Sequence, residues 1–445
     1  MLEANLKVVG SSIERMIADF GMPGYEAERA PSNNPWQASG SNGETLVQSP
    51  QAGLGYGIAL QAKTAVEAHE LLQWLRRVAR EKGRPDIARI IGIDLIGTSM
   101  NAGSEAQNWC AGGSAGRHFG TRRHANALIR SDALRDPELT GDGVRVFVVD
   151  QGINQDYIRH LGGKFGGGLY WSADGKAQLP GQASDPYSTA PNGHGAMLMR
   201  SLIDLAPDAT FFDLPLLPKR IADVENFALR ALFAFAFMKF FFLSARGPWV
   251  ILNAWGVVDR FAESLRGFYT DDPDHYLNDF IASIGRRHDV VFAAGNSGQF
   301  CGDPRAKGYD RGPGRSIWGA NGLPDVTCVG AVRTDALWVG AASQGPGPKG
   351  FDVGYGRPEK PDLCAPSWFV ENNNAHLRSG GTSSSSAVVA GAVAALRQKW
   401  TTLDVSPAQL RQTLRDGARD IGTPGWSNRT GQGTLDLAGT ITRLP

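Results

Sequence analysis

An α/β fold with a mainly parallel sheet, helices on both faces and a small N-terminal α/β region is what this 445-residue sequence predicts. Three observations predict it. From about residue 125 onward, short and almost uninterrupted apolar runs recur, such as VRVFVV at 144–149 and VVFA at 290–293. Parallel strands buried on both faces read this way, without the alternation of a half-exposed strand. Longer apolar stretches of helical length lie between them, at 196–205, 223–243 and 386–398. Strands alternating with helices are the pattern of a parallel sheet covered on both sides. Hydrophobic residues make up 42% of the chain, enough to fill such a core, and the 56 glycines supply its many tight turns.

Taken in chain order, residues 1–30 read as an amphipathic helix with a short lead, and 31–55 as loop, rich in Pro, Gly, Ser and Asn. Tyr56–Gln61 reads as a strand. Thr64 and Glu67 form a capping box for a helix whose apolar face carries Ala68, Leu71, Leu72, Leu75 and Val78. Ala88–Leu95 reads as a second strand, and 98–122 as loop. The expected division is an N-terminal region at 1–122, prodomain-like or serving regulation and docking, and a larger domain at 123–445. In the larger part the strand candidates are Val144–Val149, Thr210–Leu214, Val250–Leu252, Val290–Ala293 and Val326–Val332.

Charge and composition exclude several classes. Lys+Arg (45) and Asp+Glu (44) nearly cancel, so no nucleic-acid partner is expected. The most apolar segment, Phe227–Leu243, spans only 17 residues and carries Arg230 and Lys239, so it reads as a buried helix and no membrane span is expected. The start, MLEANLKVVGSSIERM, lacks a basic lead followed by an apolar run, so a cytoplasmic location is the expectation. None of Cys110, Cys301, Cys328 and Cys364 forms a C-x-x-C pair, and there is no H-E-x-x-H helix; free thiols and no metal centre are expected.

Three segments place reactive side chains where such folds carry their sites, at the carboxyl ends of strands. In GDGVRVFVVDQGI, Asp150 ends a strand. In NGHGAMLMRSL, His194 sits between two glycines at the start of an apolar helix. In SGGTSSSSAVVAGAVAAL, Ser383 lies where a Gly-rich turn enters an Ala/Val helix. Singly, each has an ordinary structural reading, as turn residue, core histidine or helix cap. Together, in the order Asp, His, Ser, they match one of the known orders of a catalytic triad.

These segments resemble the three signature motifs of the subtilase family, D-[ST]-G, H-G-T-H and G-T-S-M-A-x-P. A fourth, VVFAAGNSG, resembles the family's oxyanion strand, and NAWG at 253–256 and KPDLCAPS at 360–367 are smaller echoes. The resemblance covers roughly residues 125–445. It implies a subtilisin-like fold and a serine endopeptidase with Asp150, His194 and Ser383 as triad and Asn296 as oxyanion donor. It implies a protein or peptide substrate lying along Ala254, Trp255 and Gly256, with a specificity pocket between that strand and Ala293, Ala294 and Gly295. Many relatives bind calcium, but the chain has no D-x-D-x-D-G loop, so no cofactor is expected. Departures are Gln151 for Thr or Ser, Ala196 for Thr, and Ala387 for a Pro expected in the first turn of the serine-bearing helix. Trp255 is bulky enough to narrow or roof a subsite, and 298–321 is a long Gly-rich insertion that shapes the site's rim, binds a partner or is a passive loop.

Two rivals stand beside this reading. One is an esterase with Ser114, in G-x-S-x-G at 112–116, as nucleophile, although the preceding SEAQNWCA is too polar for the strand that such an elbow needs. The other is a catalytically impaired member of the same fold that only binds peptides. Control by the N-terminal region or a regulatory protein partner is a further expectation.

Overall fold

The structure, a computed structural model, describes 120–168, 193–216, 247–257, 269–300, 302–303, 305–372, 374–422 and 424–445. It also describes short pieces at 46–48, 56–58, 77, 80–81, 98–99, 170–171, 177–178, 191, 231–232, 234–236, 238–239 and 260. The expected helix at 1–30, the strand at 88–95 and Ser114 lie outside these residues.

In chain order the strands are β1 (Leu46–Gln48), β2 (Tyr56–Ile58), β3 (Thr98–Ser99), β4 (Arg145–Asp150), β5 (Lys164–Gly168), β6 (Tyr170–Trp171), β7 (Ala177–Gln178) and β8 (Thr210–Pro215). They continue with β9 (Trp249–Asn253), β10 (Trp255–Gly256), β11 (Asp289–Ala293), β12 (Thr327–Val332), β13 (Leu363–Pro366), β14 (Phe369–Glu371) and β15 (Asn374–Ser379). The α-helices are α1 (Arg122–Leu128), α2 (Gln155–His160), α3 (His194–Leu205), α4 (Tyr276–Gly285), α5 (Gly381–Lys399), α6 (Pro407–Gly417) and α7 (Leu437–Ile441).

Seven strands form one sheet in the order β13-β12-β11-β9-β4-β8-β5. Every neighbouring pair in it is parallel. Side chains alternate across it with period two. Val146 and Val148 of β4 face a core built with α3 and α5, whereas Phe147 and Val149 face a second core with Trp249, Phe292 and α4. All four are fully buried. Each such side chain contributes roughly 1.5–3 kcal/mol of burial, which is why β4 tolerates only apolar residues until Asp150. The five predicted central strands are all present, within a residue or two of their expected ends. From β4 the chain passes to the edge strand β5, returns through β8 beside β4, then crosses to β9 on the other side of β4 and runs outward through β11, β12 and β13. Sites in open α/β sheets form at such a reversal, outside the carboxyl ends of the strands. Here those ends belong to β4 and β9.

Several expectations change. The segment 31–55 contains β1, which pairs antiparallel with β2. The segment 98–122 contains β3, which pairs antiparallel with β10. The division at 122/123 falls inside α1. Arg122 is buried there, with its Nε 2.7 Å from Glu371 Oε2 and its guanidinium also near Asp204. Within Phe227–Leu243 the described residues are helical, and Ala231, Ala234, Phe235 and Met238 are buried. Among the described residues no helix is long and apolar enough to cross a membrane. Cys328 and Cys364 are free and buried; desolvation raises both thiol pKa values well above the usual range and keeps them protonated. Cys110 and Cys301 lie outside the described residues.

Candidate active site

Asp150 ends β4 because the next backbone turns away. Its carbonyl still accepts from Leu216 N beyond β8, and Gly152 follows with φ +114. The carboxylate lies against His194, with Nδ1 2.8 Å from Oδ1 and 2.7 Å from Oδ2, and both side chains are fully buried. A carboxylate only accepts, so this contact puts the proton on Nδ1 and leaves Nε2 as an acceptor. His194 Nε2 is buried and has no hydrogen-bond partner among the described residues. The glycine after His194 is a spatial requirement: a Cβ at Gly195 would lie 2.0 Å from Gly152 O. Only glycine lets α3 start this close to the Asp150 turn, and Ala196 beside it is packed in the core.

Ser383 is the third residue of α5, and α5 packs along α3. Gly380 N donates to Met197 Sδ at 3.3 Å, so the first turns of the two helices lie together. Ser383 is fully buried, and its Oγ lies 3.5 Å from Ala254 O, on the bend between β9 and β10. The four consecutive serines have separate surroundings. Ser385 Oγ donates to Ala365 O at 2.9 Å, Ser386 Oγ donates to Ser383 O at 2.8 Å, and Ser384 Oγ is buried without a partner among the described residues. Only Ser383 reaches the Ala254 bend. Ala387, expected in the first turn, is the seventh residue of α5 and fully buried, so the helix begins earlier than the motif suggested.

Asn296 follows β11. Its Oδ1 accepts from Thr382 N at 3.0 Å and from Thr382 Oγ1 at 3.2 Å, which fixes the amide so that Nδ2 is presented as the donor. Thr382 Oγ1 also accepts from Gly295 N at 3.1 Å. Motif reading did not assign Thr382 this role; its only signal was its place before Ser383. Gly381 has φ +68, and a Cβ there would come 3.1 Å from Asn296 Nδ2. A side chain at 381 would crowd the Asn296 amide.

Asp150, His194, Ser383 and Asn296 are thus brought to one end of the sheet, with Ala254 beside Ser383. Trp255 contributes differently from the expectation. Its ring is fully buried in an edge contact with Phe292, 5.1 Å between centroids, and its Nε1 donates to Asn253 Oδ1 at 2.9 Å. It cannot roof a subsite; what it exposes to pairing is backbone, and that backbone faces Ser99. The described residues of the insertion 298–321 are tied in by hydrogen bonds. Asp303 N donates to Asn296 O at 2.7 Å, and Ser316 Oγ donates to Gly312 O at 2.9 Å. Among the described residues no group of three or more His, Cys, Asp or Glu is placed to hold a metal ion.

A seven-stranded parallel sheet with helices on both faces and this buried constellation at the reversal point define a subtilisin-like α/β protein. Residues 238–433 match the model of the subtilase family. That segment holds Asn296 and Ser383; Asp150 and His194 precede it. The similarity to that family covers this segment of the chain. Among solved structures it is similar to the Clostridium perfringens CspB protease, with TM-score 0.51 and 15% identity over 72% of this chain and 98% of that one. It is also similar to MycP1 with its N-terminal propeptide removed, with TM-score 0.46 and 21% identity over 72% of this chain and 96% of that one. Fervidolysin from Fervidobacterium pennivorans, a keratinolytic enzyme related to subtilisin, gives TM-score 0.47 and 19% identity over 79% of this chain and 51% of that one. No curated protein sequence matches the chain.

Proposed function

We propose that the chain is an endopeptidase that cleaves peptide bonds through Ser383, His194 and Asp150, with Asn296 as oxyanion donor. The observation that carries this is the His194 imidazole, held on Nδ1 by Asp150 and left with a buried, unpartnered Nε2 at the end of α3 adjoining Ser383. A structural histidine would satisfy both nitrogens. In the reaction, Ser383 Oγ turns from Ala254 O to His194 Nε2 and gives up its proton as it attacks the scissile carbonyl carbon. Catalytic contacts of this kind are commonly long until substrate binds. The developing oxyanion is met by Asn296 Nδ2 and the Ser383 backbone N–H. The C–N bond breaks as His194 returns the proton to the leaving amine. Water then hydrolyses the acyl-enzyme with the same His194 as base, while Asp150 stabilises the imidazolium throughout.

Asn296→Ala tests the oxyanion assignment. Turnover of an internally quenched peptide should fall about 10²–10³-fold with KM little changed, a magnitude borrowed from the equivalent substitution in subtilisin. Unchanged turnover would remove Asn296 from the mechanism.

The proposal includes control by the N-terminal region, supported by β3. Thr98–Ser99 pairs antiparallel with Trp255–Gly256, the backbone on which a substrate strand would lie. An extended substrate binds such an edge through the same main-chain groups, so the two compete. Thr98→Pro with Ser99→Pro removes both N–H groups from β3. The double variant should hydrolyse a short peptide several-fold faster than wild type at low substrate concentration. Equal initial rates would show that β3 does not restrain the site.

A second reading, a peptide-binding protein without turnover, is favoured by one observation: Ser383 Oγ lies against Ala254 O and His194 Nε2 is not engaged. Covalent labelling of Ser383, discussed below, separates the two.

A further inference from the structure

We infer that Asn321 sets the width of the specificity pocket and restricts the substrate residue before the scissile bond to a small side chain. This inference rests on the proposed peptidase reading and names the substrate preference of that site. The ladder between β9 and β11 closes as far as Asn253 opposite Phe292. Beyond that rung β9 gives way at Ala254 to β10, which pairs in a separate sheet, and β11 ends at Ala293, followed by Ala294 and Gly295. The proposed pocket is the gap between these diverging backbones. One side chain spans the gap: Asn321 Nδ2 donates to Trp255 O at 3.0 Å on one wall and to Ala293 O at 2.7 Å on the other. Both bonds are buried. An amide nitrogen held between the two carbonyls prevents the walls from parting to admit a large ring.

Asn321 has the marks of a side chain retained for this clamp. It is 1% exposed, and its Oδ1 has no partner among the described residues, so its polar anchorage runs through Nδ2 alone. A buried polar atom without a partner costs stability, and an apolar residue would avoid that cost. The short helix that bears it, Gly319–Gly322, is itself fixed. Ala320 N donates to Tyr269 Oη at 3.0 Å, and Gly319 N donates to Thr270 O at 3.1 Å. Gly319 adopts φ +55 with the Tyr269 ring 2.2 Å from where a Cβ would stand, so the turn admits no other residue. The insertion 298–321 thus ends by delivering Asn321 to the pocket from a rigid base.

The test is a series of internally quenched peptides that differ only in the residue before the cleaved bond (Gly, Ala, Leu, Phe). They are cleaved by full-length wild type and by Asn321→Ala and Asn321→Leu; leucine keeps about the volume of asparagine but cannot donate. Wild type should prefer Ala over Phe in kcat/KM by about 10²-fold, within the range one pocket contact can supply. Both variants should cut that ratio about tenfold or more, with kcat on the Ala peptide nearly preserved. A wild type that cleaves Phe as well as Ala overturns the inference without any variant. An unchanged ratio in both variants, with kcat/KM lowered uniformly, shows that Asn321 is structural only. A change in Asn321→Ala but not in Asn321→Leu shows that bulk, not the clamp, selects. A wild type that cleaves none of the peptides and takes no covalent label at Ser383 overturns the peptidase reading and this inference with it.

Discussion

Ser383→Ala should reduce kcat on a peptide substrate by about 10⁶-fold, the loss measured for the nucleophile of subtilisin and taken over here for the corresponding group. The reason is the loss of the covalent route itself. Without Oγ no acyl-enzyme forms, and His194 has no hydroxyl to deprotonate. Asn296 and the substrate strand remain, so a residual rate above that in water is expected from oxyanion and binding effects alone. The substitution should leave the fold intact. Ser383 Oγ makes a long 3.5 Å contact with Ala254 O, and alanine occupies less space at a fully buried position of α5. A net hydrogen-bond contribution of about 1 kcal/mol bounds the stability change, which a thermal melt would read as a shift of a few degrees. Loss of turnover with a preserved melt is the expected pair of results. Ser384, Ser385 and Ser386 are internal controls. Alanine at 384 should leave turnover within a few-fold of wild type, because that hydroxyl has no hydrogen-bond partner among the described residues.

Asp150→Asn should reduce kcat by about 10⁴-fold, as the equivalent change does in a serine protease of unrelated fold. The argument is one of tautomers. The Asp150 carboxylate accepts from Nδ1 at 2.7–2.8 Å, which obliges Nδ1 to carry the proton and frees Nε2 to accept from Ser383. An asparagine amide of the same shape presents an NH₂ group to Nδ1. The imidazole answers by moving its proton to Nε2, where it can no longer take one from the serine. KM should change little, because neither residue touches the substrate strand. A drop that tracks KM instead, or a variant as active as wild type, would mean that Asp150 does not set the imidazole's tautomer.

Much of this was legible before any coordinates. β4, β8, β9, β11 and β12 were read from unbroken apolar runs, because strands buried on both faces cannot interrupt that pattern. Asp150, His194, Ser383 and Asn296 were legible because each sits in a short frame of glycines whose spacing is itself structural. Gly195 and Gly381 occupy places where a Cβ would strike Gly152 O or crowd Asn296. What escaped has equally physical reasons. β5 reads KFGGG and offers no apolar run, and its pairing with β8 is irregular between Phe165 and Gly167. β13 is only four residues long, and its LCAP lies within the KPDLCAPS motif, too short to signal a strand. The pairing of Thr98–Ser99 with β10 joins residues over 150 positions apart and carries no periodicity. Trp255 looked like a subsite wall because bulk is visible in a sequence and direction is not; its ring points into the Phe292 core. Asn321 was counted merely as the last letter of an insertion, since a two-carbonyl clamp is a tertiary contact and leaves no local signature.

The central claim is that Ser383, alone among four adjacent serines, is the activated nucleophile. Peptide mapping by mass spectrometry after treatment of the full chain with a fluorophosphonate tests it most directly. One adduct per chain, located on Ser383, absent from Ser383→Ala and formed far more slowly in Asp150→Asn, is the predicted result. An unlabelled wild type, or an adduct on Ser384, Ser385, Ser386 or any residue outside this site, would contradict it.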